Sequence, residues 1–168
     1  HRSEEPVVSE AAAWALAARH AGNATPPASV EALPIVELAD RVRVVPLFAA
    51  LSVDELFRIA QAGEEVRHPS GRDLCYAGTP PSDVLFLLEG GAQAVDDTAS
   101  KAEILPPAVI GFEDVLQGTA LRSTVRAPQP TVCFRIAADD FMTLVSDNVL
   151  LAQSLFAMLL TKDRPRVP

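Results

Sequence analysis

The chain has 168 residues, 49% of them hydrophobic and 21% charged, with a formal net charge of −8 and a pI near 4.8. This composition describes a folded chain with room for one domain, its core and some appendages, and excludes a disordered one. The acidic balance disfavours nucleic acid and polybasic membrane contact, no stretch of eighteen uninterrupted apolar residues offers a membrane span, and no basic-then-apolar signal peptide opens the sequence.

In chain order, residues 1–22 come first. EEPVVSEAAAWALAARH is Ala-rich, opens with Pro6 before the first turn and runs without a breaker to Gly22, which predicts a helix. Val8, Ala12, Ala15 and Leu16 make it resemble the HEAT-repeat helix, roughly D-x-x-V-R-x-x-A-x-x-A-L, with Ser9 where the repeat has Arg. An ordinary amphipathic leader packing on the following domain fits the same residues, since one repeat helix cannot bury its own face. Residues 23–34, GNATPPASVEALP with its neighbours, carry three Pro and read as a linker. Residues 35–162 form the main domain and 163–168 a tail.

VELADRVRVV predicts a helix entering that domain. In PLFAALSVDELFRIAQAG, Ser52 is a predicted N-cap with Glu55 three residues later, a capping box, and Leu56, Ile59 and Ala60 form an apolar stripe. Short apolar runs broken by Gly, Pro and Asp follow: RDLCYAG, DVLFLLEGGAQAV, KAEILPPAV, STVRA and TVCFRI. Such spacing predicts a sandwich or roll instead of a parallel sheet, with DDTAS as one hairpin tip. ADDFMTLVSDNVLLAQSLFAMLL predicts two helices meeting near Asp147 or Asn148. Phe141, Leu144 and Val145 face inward on the first, and Leu151, Leu155, Met158 and Leu159 on the second.

The stretch Ile110 to Ala127, IGFEDVLQGTALRSTVRA, is the most informative. It resembles the phosphate-binding cassette of cyclic nucleotide-binding domains, roughly F-G-E-I/L-A-L, a few variable residues, then P-R-A/S-A-T-V-x-A. The entry P-L-F-x-x-L-S-x-x-E-L and the strand around Gly90 resemble the same family, so the resemblance covers about Ile35 to Leu160. It implies an α+β, mainly β, fold: an antiparallel β-roll (a double-stranded β-helix, jelly-roll-like) flanked by N- and C-terminal helices. In the family cassette a Gly lets backbone approach the ligand, a short helix offers N–H groups to the phosphate, a Glu holds the ribose and an Arg pairs with the phosphate.

Two registers place this chain on that pattern. Without a gap, Gly111 takes the glycine place, Phe112 stands where the Glu belongs, Leu121 where the Arg belongs, and Thr124, Val125 and Ala127 take T-V-x-A. A shift by one residue restores Glu113 and Arg122 but puts Phe112 at the close-approach glycine and needs a deletion before Ala127. Strand alternation favours the first, because a slip inverts every side chain. The candidate ligand-binding residues are Gly111, Phe112, Glu113, Leu121, Arg122, Ser123 and Thr124. The ligand implied by the resemblance is cyclic AMP or cyclic GMP, held weakly in a degenerate cassette, and Asp114 is expected to compete for the helix N–H groups.

Elsewhere the sequence shows no nucleophile elbow, HExxH or Walker loop, and no metal-ligand spacing among His1, His20 and His68, the last placed in a turn before Pro69. Asp139 and Asp140 read as helix caps. Cys75 and Cys133 read as reduced core thiols of a cytoplasmic protein, or of the cytoplasmic part of a membrane protein. The start at His1 suggests a piece of something longer. The expected function is a regulatory module, with no enzymatic activity, no metal and no nucleic acid. Its partners would be other domains of its parent, a cyclic nucleotide, or a second copy through the C-terminal helices. A HEAT-like segment before such a roll resembles bacterial proteins with an ATP/ADP-antiporter-like domain, so a nucleotide transporter is the expected parent. The competing class is a ligand-free scaffold.

Overall fold

A computed structural model describes residues 28–31, 33–95 and 101–162. The leader of residues 1–22, half of the linker (23–27 and 32), the tip DDTAS and the tail lie outside the described residues. The elements in order are β1 (Ser29–Glu31), α1 (Ile35–Val42), a 3-10 turn (Pro46–Phe48), α2 (Val53–Ala62), β2 (Gly63–His68), β3 (Asp73–Cys75), β4 (Asp83–Glu89), β5 (Ala92–Val95), β6 (Lys101–Ile104), β7 (Ala108–Ile110), α3 (Phe112–Gln117), β8 (Thr124–Arg126), β9 (Thr131–Ala137), α4 (Ala138–Asp147) and α5 (Val149–Lys162). The strands form a five-stranded sheet, β1-β2-β9-β4-β7, and a four-stranded sheet, β3-β8-β5-β6. Every pairing is antiparallel, as expected of a β-roll.

Strand alternation builds two interiors from the same strands, because successive side chains point to opposite faces. Val84, Phe86, Phe134 and Ile136 face the helices, where they join Phe48, Phe112, Phe141, Leu151 and Leu155 in the main core. Leu85, Leu87 and Cys133 face into the roll, with Ala92, Ile110 and Val125. The register fixes this division: Phe86 sits opposite Phe134 and Leu87 opposite Cys133. Phe86 anchors the helix side, with ring centroids 4.9 Å from Phe48, 5.9 Å from Phe134 and 6.2 Å from Phe141.

Local signals fix the helices around that core. Ser52 and Glu55 form the capping box of α2, which buries Leu56, Ile59 and Ala60. Helices α4 and α5 turn through 108° at Asn148, whose Oδ1 accepts the Leu151 N–H at 2.9 Å. The Asn148 Nδ2 donates to Glu55 at 2.8 Å, tying the corner to α2. Leu151 and Leu155 are buried, and Met158 and Leu159 are half-buried against the same core. On the helix-facing side of β2, the fully buried Glu65 is paired with Arg41 of α1 at 2.9 Å and with Arg67 at 3.0 Å. Arg41 also pairs with Glu89, so one guanidinium fastens α1 to two strands.

Three readings change. Ser29–Glu31, inside the segment expected to be a linker, is a strand on β2; it covers an edge whose N–H and C=O groups would otherwise be unpaired. Asp139 and Asp140 do not cap α4, whose N-cap is Ala137 without a side-chain bond; they lie in its first turn, where carboxylates suit the helix dipole. His68 ends β2 opposite Thr131, and is not a free turn residue. No single helix among the described residues is long and apolar enough to cross a membrane.

Candidate functional site

The open end of the roll holds a cavity of about 190 Å³. Its apolar wall includes Leu74, Leu85 and Leu121, and its polar groups include His68, Asp83 and Arg135. Three strands supply these by alternation: Asp83 and Leu85 from β4, Arg135 from β9, and His68 from β2, two ladder steps beyond Val66.

The stretch Ile110 to Ala127 runs along the rim of this cavity. Gly111 caps α3 in the left-handed conformation, with φ 85°. A Cβ there would approach the Asp83 carbonyl to 3.3 Å and Pro81 Cβ to 3.4 Å, so the tight entry at the cavity rim requires glycine. The closing limb is pinned by backbone: the Leu121 N–H donates to the Thr79 carbonyl at 3.1 Å, and the Leu121 carbonyl accepts the Gly78 N–H at 2.8 Å. Thr124 Oγ1 accepts the Ala77 N–H at 3.2 Å. Val125 then pairs with Cys75 of β3 and Ala94 of β5, which seats T-V-x-A with Val125 and Ala127 buried.

These contacts place the candidate residues individually. Leu121 is 8% exposed and lines the cavity. Phe112, expected beside it, is buried in the helix-side core instead. The cause is α3 itself, whose first residue turns toward the helices. Glu113 is half-buried in the first turn of α3 and is not a lining residue, Arg122 is exposed and Ser123 half-buried. Of the candidate residues the structure thus places Leu121 in the cavity lining and leaves Gly111, Phe112, Glu113, Arg122, Ser123 and Thr124 outside it. Asp114 lies in the first turn of α3, and its Oδ1 accepts the Thr119 hydroxyl at 3.1 Å.

The two thiols of the roll are unreactive. Burial pushes the Cys75 thiol up to about 11 and the Cys133 thiol up to about 12, so neither is a nucleophile near neutral pH. Both are free thiols. Burial also lowers the His68 pKa, helped by the charges of Arg72 and Arg135, which keeps the imidazole neutral. Arg135 is ion-paired with Glu64. No group of three metal-ligating side chains occurs among the described residues. His68, Asp83 and Arg135 were not among the sequence candidates. The signal was period-two alternation across three strands, which needs the pairing register before it shows a shared face.

No family model matches the chain. Among curated proteins it is similar to an uncharacterized NTE family protein of Mycobacterium tuberculosis, 30% identical over 128 residues that cover 74% of this chain and 22% of that protein. It is also similar to a cyclic nucleotide-gated potassium channel of Mesorhizobium japonicum, 28% identical over 112 residues, 67% of this chain and 31% of the channel. The chain therefore spans well under half the length of these relatives. Among solved structures it resembles the sensor domain of the transcriptional regulator DNR from Pseudomonas aeruginosa (TM-score 0.66, 20% identity, 76% of this chain and 94% of that one). A cyclic nucleotide-binding domain from Methylobacillus flagellatus is similar at TM-score 0.60 and 20% identity, over 76% of this chain and 74% of that one. The regulatory subunit of a cAMP-independent protein kinase A from Trypanosoma brucei is similar at TM-score 0.65 and 16% identity, over 78% and 49% of the chains. A triple mutant of that subunit has been solved with cAMP in its A site. These likenesses agree on one architecture: the chain has the β-roll fold of the cyclic nucleotide-binding regulatory domains.

Proposed function

We propose that this chain is the regulatory β-roll of a longer bacterial protein, with a cassette that holds cyclic nucleotides weakly or not at all. One observation carries the reading: Leu121 lines the cavity while Arg122 is exposed. A phosphate entering the roll would meet a leucine where the resemblance calls for a guanidinium. Losing one partner of a buried charged contact costs about 2–5 kcal/mol. At about 1.4 kcal/mol per tenfold, that moves a micromolar site towards millimolar. The cavity, about 190 Å³, also falls below the roughly 300–1,000 Å³ usual for ligands of drug or nucleotide size. The similarity in fold to the regulatory subunit of a cAMP-independent protein kinase A from Trypanosoma brucei supports this reading.

The greater length of the relatives supports a multidomain parent. A nucleotide transporter finds no support among them, and the HEAT-like segment lies outside the described residues. The two free thiols fit a reducing compartment, and so a module on the cytoplasmic side. The scaffold reading draws on α5, which leaves Val149, Leu150, Phe156 and Leu160 exposed as a contact surface for an effector or a second copy.

Calorimetric titration of the chain with cyclic AMP and cyclic GMP tests the proposal. The expected result is no binding tighter than about millimolar, unchanged in Arg122→Ala, with a gain of affinity in Leu121→Arg. Micromolar binding that disappears in Arg122→Ala would overturn it.

A further inference from the structure

We infer that the roll cavity is a site for a small, uncharged, planar heterocycle of one or two rings, recognised through His68. The inference rests on the proposed reading that Leu121 leaves the roll without a phosphate clamp. Size sets the first limit. A cavity of about 190 Å³ is a little larger than the roughly 150 Å³ apolar hole that takes a benzene. That leaves room for a ring system but not for a ring with a sugar and a phosphate.

The lining sets the chemistry. Leu74, Leu85 and Leu121 supply apolar walls, and Tyr76 at the mouth supplies an aromatic face against which a flat ring can lie. Charge is already balanced inside the site. Arg135 is paired with Glu64, and the Asp83 carboxylate accepts the Ser82 hydroxyl at 2.6 Å. Arg72 and Arg135 act on His68, but the carboxylates of Glu64 and of Asp83 and Asp114 offset them, so the cavity has no excess positive charge to offer an anion. His68 provides the specific contact. Both its ring nitrogens are buried, and neither has a hydrogen-bond partner among the described residues. Buried polar groups are satisfied in the great majority of cases, so a lining group of this kind marks where a ligand atom gains most. A neutral imidazole meets either a donor or an acceptor by choice of tautomer, which suits the nitrogen-rich edge of a heterocycle.

The test is amide chemical-shift mapping of the full chain, titrated separately with cytosine, adenine, benzoate and benzene, each repeated on His68→Phe and His68→Gln. Cytosine or adenine is expected to shift the signals of Leu74 to Tyr76 and of Leu121, with benzoate and benzene markedly weaker. His68→Phe is expected to weaken the heterocycle by about tenfold, the worth of one buried hydrogen bond. His68→Gln, which keeps a donor and an acceptor, is expected to lose less and guards against a variant that fails to fold. Absence of localised shifts in the unaltered chain would overturn the inference, as would equal binding of benzene, or heterocycle binding that is indifferent to both substitutions. Preferred binding of benzoate would overturn it in favour of an anion site. Cyclic AMP titrated in the same way separates the two readings. Tight binding lost in Arg122→Ala sinks the proposed function, whereas failure of every probe leaves that reading standing and sinks only this one.

Discussion

Strands β4 and β9 serve two interiors that differ in kind. On the helix side, Phe86 and Phe134 meet within a continuous aromatic and aliphatic core. On the roll side, Leu87 and Cys133 sit in a smaller apolar cluster that opens outward, through Leu85 and Arg135, into a cavity. The same backbone carries both, so alternate residues of one strand face different selective demands. The helix side stabilises the domain. The roll side gives up packing density, which natural interiors rarely do without a use for the space.

Paired truncations sharpen this contrast most. Phe134→Ala removes a fully buried ring and is expected to destabilise the domain by about 3–5 kcal/mol. Leu121→Ala widens a space that is already open, and is expected to cost about 2 kcal/mol, near the lower end for buried leucine. Denaturant titration measures both. Equal losses would mean that the roll side is packed as tightly as the helix side, and would break the comparison.

The helix side also contains a charge, and that makes a second, smaller test. Glu65 is opposite Phe134 in the ladder and fully buried, held by Arg41 and Arg67. Arg41→Ala leaves the carboxylate with a weaker set of partners and is expected to cost about 1–3 kcal/mol, the range for a buried group losing a partner. The double variant Arg41→Met with Glu65→Leu is expected to recover much of that loss, because neither charge remains to be desolvated. Melting temperatures of the two variants decide it; a double variant less stable than Arg41→Ala would show that the pair adds net stability.

Much of this architecture was legible where the signal was local. The capping box at Ser52 and Glu55, the short helix Phe112–Gln117 and the corner at Asn148 each depend on residues within a few positions of one another. The roll followed from alternation and turn residues. What escaped depended on pairing between distant segments. Ser29–Glu31 has no strand signal strong enough to outweigh the prolines before it, and becomes a strand by covering the edge of β2. His68 looked like a turn residue because Pro69 follows, and only its place opposite Thr131 turns it into the roll. Leu121 and Phe112 could both be assigned to the pocket from the cassette pattern. Only the backbone bonds to Gly78 and Thr79 hold Leu121 there, while α3 carries Phe112 to the opposite interior.

The two interiors also predict two separable acid responses, the smallest effect of the set. On the roll side, burial lowers the His68 pKa from 6.5. The folded state therefore favours the neutral ring, and stability is complete above that ordinary value and declines as pH falls from it towards the depressed folded value. On the helix side, the Ser52 backbone N–H, the Ser52 hydroxyl and Asn148 lower the Glu55 pKa from 4.5. That contribution is complete above 4.5 and is lost as pH falls through the lower folded value, because protonation removes the acceptor that holds the cap and the corner. Both losses run in the acid direction but occupy different windows. His68→Gln is expected to flatten the stability profile just below the histidine range and leave the acid limb unchanged. Ser52→Ala is expected to reduce the acid limb and leave the upper one unchanged, and Asn148→Ala to do so by less, since Asn148 is the weaker cause. Stability measured by denaturant titration across pH distinguishes them. An upper limb that persists in His68→Gln would remove His68 from the buried face of the roll, and with it the polar contact that sets this interior apart from the aromatic one.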